Sequence, residues 1–208
     1  MFENIKGAIF DADGTLLDSL PVWEIVPALY LKTLGVNAKP ELPKQVFAMT
    51  FEEGSAFIKK EYGLTQSEDE IKKGILETAN EQYKSSIPLK NGIKELLEDL
   101  HAKGIPMCVA SSSQIFQLEP AFKRLGIFDY FEEIFCSSEI GVSKTEPDIY
   151  LKASERMGTL PEETCVFEDA LFAILTAQKA GFKTCGVFDE LSAGDWYSIC
   201  QKTDWQIK

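Results

Sequence analysis

The feature that most constrains this chain is a short apolar run that stops abruptly at acids. Lys6–Phe10 (KGAIF) gives way at once to Asp11-Ala12-Asp13-Gly14-Thr15. An unbroken apolar run of this length reads as a parallel strand buried on both faces. Open α/β sheets bind ligands beyond the C-terminal ends of such strands. The pattern recurs: Ile105–Ala110 (IPMCVA) leads into Ser111-Ser112-Ser113, and Thr164–Phe167 ends at Glu168-Asp169. Ile134–Cys136 and Lys183–Phe188 supply further strand-like runs.

Between these runs lie helical patterns. Asn91–Lys103 is amphipathic and stops at Gly104; Gln114–Leu125 contains Pro120, where a bend is expected, and stops at Gly126. Pro147–Met157 has a proline suited to a first helical turn, and Leu171–Ala180 stops at Gly181. Strands alternating with helices imply right-handed crossovers and a parallel sheet. The reading is an α/β protein with a three-layer, Rossmann-like core. The aromatic and acidic C-terminal end (Asp195-Trp196-Tyr197, Asp204-Trp205) is expected to close the fold with a helix and a strand.

Residues 18–86 have a different texture. Strand-like runs vanish, and helical periodicity appears at Val22–Leu34, Pro43–Met49, Phe51–Tyr62 and Ser67–Tyr83. Ser67 and Glu70 form a capping-box pattern. Pro21 sits near a helix start, whereas Pro27 is expected to kink the first helix. The segmentation divides the chain into a core of residues 1–17 and 87–208, interrupted once by a small helical domain of residues 18–86. No internal repeat or low-complexity tract is present.

The 208 residues carry a formal net charge of -12, which disfavours nucleic acid and anionic lipid as partners. A phosphate-binding site in such a chain must concentrate positive charge locally. No run approaches the ~20 apolar residues of a membrane helix. The N-terminal MFENIKGAIFDADG lacks the basic and then long apolar pattern of a signal peptide. Five cysteines without a CxxC pair argue against a zinc site, and Cys108, Cys165 and Cys185, inside apolar strand-like runs, read as buried, reduced thiols. A cytoplasmic location is expected.

In a parallel sheet the strand ends converge on one edge. Asp11, Asp13, Ser111, Glu168 and Asp169 can therefore meet there, joined by Lys144 from the loop SKTEPD. That set suits phosphoryl transfer. Mg²⁺ takes oxygen ligands, usually one or two carboxylates with phosphate oxygens. A carboxylate can attack phosphorus. Lysine and metal offset the charge of the transferring group, and Gly14 and Thr15 can present backbone amides to it. Each residue also has a plain reading. Asp11–Asp18 could be a solvated turn, Ser111–Ser113 a helix cap, Lys144 a surface lysine, and Glu168-Asp169 a cap on the following helix. His101, the only histidine, reads as a surface residue near a helix C-terminus.

FDADGTLLDS resembles the first motif of the haloacid dehalogenase superfamily, with Ser111 in VASSS resembling the second, Lys144 the third and Glu168-Asp169 the fourth. The helical insertion resembles the cap of the β-phosphoglucomutase-like branch. The resemblance implies that Asp11 is nucleophile and metal ligand, and that Asp13 is general acid/base, its carbonyl also on the metal. It implies that Ser111, with Ser112 beside it, and Lys144 hold phosphoryl oxygens, and that Asp169 and Glu168 form the acidic Mg²⁺ site. The substrate is expected to be a small phosphorylated metabolite and the protein a monomer or weak dimer. Trp23, Met49, Thr50 and Phe51 are candidates for choosing the substrate, with Trp23 and Phe51 equally readable as cap core.

Asp13 favours phosphate esters over carbon–halogen bonds, because an alkoxide leaving group gains from a proton donor and a halide does not. Hydrolysis is favoured over a mutase reaction. The branch's mutases carry a cap histidine where this chain has Trp23, and a cap arginine, whereas the arginines here are Arg124 and Arg156, outside the insertion. The alternatives are a phosphomutase or a catalytically weakened regulatory homologue. The last is suggested by Ala170 and Ala173, which replace a serine and a glycine usual after the fourth motif. The methyl of Ala173 is expected to crowd the helix–strand approach. A Rossmann-type dinucleotide binder is unsupported, since no GxGxxG follows a strand.

Overall fold

The computed structural model describes residues 2, 4–46 and 49–208. It divides into two compact units: Met1–Asp18 with Ile87–Lys208, and Ser19–Ser86.

The first unit is built on a six-stranded, wholly parallel sheet. Its strands are β1 (Gly7–Phe10), β2 (Met107–Ser111), β3 (Glu133–Cys136), β4 (Thr164–Glu168), β5 (Lys183–Val187) and β6 (Trp205–Ile207). The spatial order β3-β2-β1-β4-β5-β6 reverses direction at β1. Such a reversal opens a crevice at the C-terminal edge, between β1 and β4. The period-two alternation of the strands sorts their side chains onto two faces. Ile9, Cys108, Ala110 and Val166 form one buried cluster with Ile149, Tyr150 and Ala153 of helix α8 (Asp148–Met157) and Ala177 of α9 (Leu171–Lys179). The alternate positions Phe10 and Phe167 stack with ring centroids 4.3 Å apart. Phe10 also meets Phe131, which packs on Phe122 of α6 (Ile115–Leu125). The remaining helices of this unit are α5 (Ile93–Ala102), the single turn α7 (Ser137–Ile140) and α10 (Trp196–Lys202). Helix α6 runs unbroken through Pro120, and the terminal helix and strand form as the sequence suggests.

Cys108, Cys136, Cys165 and Cys185 are free and buried. Burial pushes the Cys108 thiol up to about 12 and Cys136 to about 11, so these thiols stay protonated and unreactive. His101 lies at the end of α5 with its ring beside Tyr130, 5.2 Å between centroids. No described helix is long and apolar enough to cross a membrane.

The chain leaves and re-enters this unit side by side. Leu17 and Leu89 form an antiparallel bridge, and the Asp18 amide donates to the Pro88 carbonyl at 3.0 Å.

The second unit is helical: α1 (Leu20–Thr33), α2 (Leu42–Val46), α3 (Phe51–Tyr62) and α4 (Glu68–Ser85). Of the helix expected over Pro43–Met49, positions 47 and 48 lie outside the described residues. Helix α1 continues through Pro27 without a break. Capping boxes start both α3 and α4, with Thr50 and Glu53 satisfying each other's amides as Ser67 and Glu70 do. The unit has its own core of Val26, Tyr30, Leu31, Leu42, Ile58, Ile71, Ile75 and Ala79.

The α1–α4 contact is set by Gly74. A Cβ there would lie 2.2 Å from a Tyr30 ring carbon, so only glycine lets the two helices approach this closely. Gly74→Ala gains about 1 kcal/mol of helix propensity but overpacks the core, at roughly 1–3 kcal/mol. The variant should therefore unfold at lower denaturant concentration than the parent in equilibrium melts.

Candidate active site

The parallel register brings the acids together. Phe10 pairs with Phe167, and the Asp11 amide donates to the Phe167 carbonyl at 3.0 Å. Asp11, one residue past β1, thereby comes beside Glu168 and Asp169 at the end of β4. All three are buried, and a carboxylate oxygen from each lies within 4.8 Å of the others.

Lys144 is the cation of the cluster. It comes from the loop before α8, is 3% exposed, and its Nζ donates both to Asp11 Oδ1 and, at 2.6 Å, to Glu168 Oε1. Burial alone works against its charge, but the flanking carboxylates outweigh burial and raise its pKa. The surface-lysine reading therefore fails. Glu168 is further held by the Ala170 amide, 3.1 Å from Oε2, and by the Tyr150 hydroxyl, 3.3 Å from Oε1.

Asp11 Oδ2 is buried and has no hydrogen-bond partner. Burial raises the Asp11 pKa well above the ordinary carboxylate range. Lys144 opposes the shift, while the charges of Glu168, Asp169 and Asp13 add to it. Asp169 is pushed up to about 7, first by burial and then by Glu168, with a hydrogen bond from Ser192 pulling the other way. One buried ammonium thus faces an excess of carboxylates, one of them with an oxygen unclaimed. Hard oxygen donors converging in excess over positive charge fit a divalent cation such as Mg²⁺.

The turn after β1 places Asp13. The Gly14 φ of +90° reverses the chain, and the Gly14 amide closes the turn on the Leu17 carbonyl at 2.9 Å. The sequence suggested that this amide could face an anion; it is instead consumed inside the turn. Thr15 is fully buried and its hydroxyl has no partner. Ser111 ends β2, buried, with its Oγ accepting from the Ser113 amide at 3.0 Å. Ser112 is exposed. It is Ser113 whose hydroxyl reaches Asp13 Oδ2, at 2.5 Å. Sequence reasoning passed over Ser113. Its signal was only its place in the serine run.

Ser192 was missed altogether. It lies after β5, and its Oγ donates to Asp169 Oδ2 at 2.7 Å. Ala170 caps α9 through its backbone alone, and Ala173 sits fully buried in that helix. Trp23, Met49, Thr50 and Phe51 line one cleft of about 250 Å³ within the helical unit, with Pro27 and Ile58 among its other walls. Trp23 and Phe51 are 37% and 39% exposed, so neither belongs to the buried core of that unit.

Comparison with known proteins follows the same lines. The chain matches the model of the haloacid dehalogenase-like hydrolases over residues 8–187. It is 25% identical over 191 residues to a phosphorylated carbohydrates phosphatase of Thermotoga maritima, covering 91% of this chain and 88% of that one. It is 29% identical over 194 residues to the fructose-1-phosphate phosphatase YqaB of Escherichia coli, covering 90% and 98%. A solved structure of a Thermotoga maritima protein assigned as a beta-phosphoglucomutase superposes with a TM-score of 0.83 at 23% identity, covering 98% of this chain and 94% of the other; at that identity the likeness is one of fold.

The raised Asp169 pKa predicts how stability depends on pH without metal. A carboxyl whose pKa is raised by folding binds its proton more tightly folded than unfolded. Its penalty is complete above about pH 7 and is relieved as the pH falls from there toward about 4. In EDTA, the protein should melt higher at about pH 6 than at about pH 8. Asp169→Asn should raise the pH 8 midpoint by the equivalent of roughly 1–2 kcal/mol and narrow the difference. A lower midpoint for Asp169→Asn at pH 8 would contradict this account.

Proposed function

From a chain that belongs to the haloacid dehalogenase-like hydrolase family, we infer a Mg²⁺-dependent phosphatase that hydrolyses a small phosphorylated metabolite, a sugar phosphate by class, through a phosphoryl group carried on Asp11. The observation that carries this reading is the Asp11 carboxylate itself. It is buried, fixed by Lys144 through one oxygen, and unpartnered at the other. A carboxylate so held has a lone pair to give and little freedom to turn away.

In the proposed reaction an Asp11 oxygen forms a bond to phosphorus as the ester P–O bond breaks. Asp13, held by Ser113, gives its proton to the departing alkoxide. Asp13, now a carboxylate, takes a proton from water as the water oxygen attacks the phosphorus. The Asp11–phosphorus bond breaks, inorganic phosphate leaves, and Asp13 is again protonated. Lys144 keeps Asp11 oriented and offsets charge at the phosphoryl group, with Ser111 and the Thr15 turn beside it as donors. Asp11, Glu168 and Asp169, with the Asp13 carbonyl, would hold the cation, which supplies charge neutralisation for the transferring group.

The names of the relatives, a phosphorylated carbohydrates phosphatase and a fructose-1-phosphate phosphatase, support a sugar phosphate as substrate class. Hydrolysis fits better than transfer to a second phosphate. The inserted helices contain no arginine. Arg124 donates to the Ile87 carbonyl, and Arg156 pairs with Glu132 and Glu133. Trp23, Met49, Thr50 and Phe51 are proposed to select the body of the substrate, with the inserted helices acting as a cap.

Purified protein should release inorganic phosphate from hexose or hexitol monophosphates with Mg²⁺ and not with EDTA. Asp11→Asn should lower turnover by at least about 10³-fold while leaving the fold intact by circular dichroism. Release that survives Asp11→Asn, or isomerisation of a sugar 1-phosphate without free phosphate, would overturn the proposal.

A further inference from the structure

We propose that Ser192 is a positioning residue for Asp169, fixing its carboxylate for the divalent cation from a loop that no motif of the sequence marks. The inference deepens the proposed function and rests on it.

Asp169 follows β4 directly, and the position after it offers no hydroxyl, since Ala170 caps α9 with backbone groups alone. The hydroxyl arrives instead from the loop after β5, where Ser192 Oγ lies 2.7 Å from Asp169 Oδ2. One carboxylate oxygen held in this way leaves the other for a ligand and stops rotation of the group. Partners of this kind around metal-binding carboxylates govern affinity.

The loop that presents Ser192 is itself tied to the site. Asp189 is 4% exposed and pairs with Lys90, whose Nζ lies 2.7 Å from Asp189 Oδ2 and 2.6 Å from the Phe188 carbonyl. The second oxygen of Asp189 accepts the Leu191 amide at 2.9 Å, and the Asp189 carbonyl accepts the Ser192 amide at 3.2 Å. The Lys90 amide in turn donates to the Leu16 carbonyl at 3.0 Å, in the turn that carries Asp13. A continuous run of part-buried polar contacts therefore links the turn after β1 to the acid after β4. Ser192 is its last link, and the only one whose side chain reaches Asp169.

The arrangement also makes the test clean. The loop is held by Lys90 and Asp189, so losing the Ser192 hydroxyl alone leaves its fold supported. Ser192→Ala and Ser192→Thr are compared with the parent by calorimetric titration with Mg²⁺ alone, by melting in EDTA, and by phosphate release at varied Mg²⁺. Ser192→Ala should weaken Mg²⁺ binding by about tenfold, lower the EDTA midpoint only by the loss of one hydrogen bond, and raise the Mg²⁺ needed for half-maximal release far more than the KM for substrate. Ser192→Thr should recover most of the affinity. Mg²⁺ binding by Ser192→Ala within twofold of the parent overturns the inference. So does a lost affinity that Ser192→Thr does not restore, which marks a merely structural role. A parent protein that neither binds Mg²⁺ nor releases phosphate overturns the proposed function, and this inference with it.

Discussion

The buried ammonium of Lys144 is what allows the rest of the site to exist. Asp11, Glu168 and Asp169 are each almost wholly removed from water, and Asp13 stands close enough for its charge to raise the Asp11 pKa. Unit charges about 4 Å apart interact by roughly 4 kcal/mol at the effective dielectric typical of protein sites, so acids packed this closely repel strongly. Lys144 bridges Asp11 and Glu168 and offsets part of that repulsion. It cannot cancel it, because one positive charge faces several negative ones. Burial first, and then this uncancelled repulsion, raise the pKa values of Asp11 and Asp169. Acids packed this closely cost folding free energy, and the folded core around the sheet has to bear it.

Each carboxylate is held by a different part of the chain. Lys144, from the loop before α8, holds Asp11. Ser113, beyond β2, holds Asp13. The Ala170 amide and Tyr150 hold Glu168, and Ser192, beyond β5, holds Asp169. Parallel strands of matched register deliver these loops to one edge, where the strand order turns at β1. Such a division of labour makes the geometry depend on the sheet rather than on any single loop. The sheet is correspondingly well packed, with Phe10 and Phe167 stacked directly beneath the acids that follow them.

How much of this was legible in the sequence follows from the range of each interaction. The strands before Asp11, Ser111 and Glu168 announced themselves as uninterrupted apolar runs. A parallel sheet then needs only topology to bring their ends together, and Lys144 joined them through its place in the motif order. The Ser67–Glu70 capping box was equally readable, since both partners lie within one helical turn. What escaped was long-range and side chain to side chain. Ser113 is 100 residues from Asp13, Ser192 is 23 from Asp169, and Lys90 is 99 from Asp189. Each is a common polar residue in a loop, and nothing in its neighbours says where the loop will turn. Gly14 failed differently. Its conformational role was visible, but whether its amide would face a ligand or close the turn depended on Leu17, three residues on.

The same charge balance explains how so acidic a protein can handle a phosphate ester. The chain carries -12 overall, and the ammonium nearest the proposed nucleophile already serves two carboxylates. A dianionic ester approaching the metal-free cluster would meet net negative charge in a site where burial strengthens every repulsion. Protonating the acids would relieve it only by silencing the nucleophile. A divalent cation held among Asp11, Glu168 and Asp169 would relieve the same repulsion while leaving the carboxylates ionised. The excess of acid over base in this cluster, costly in isolation, would thus draw positive charge to the place where the proposed phosphoryl transfer needs it.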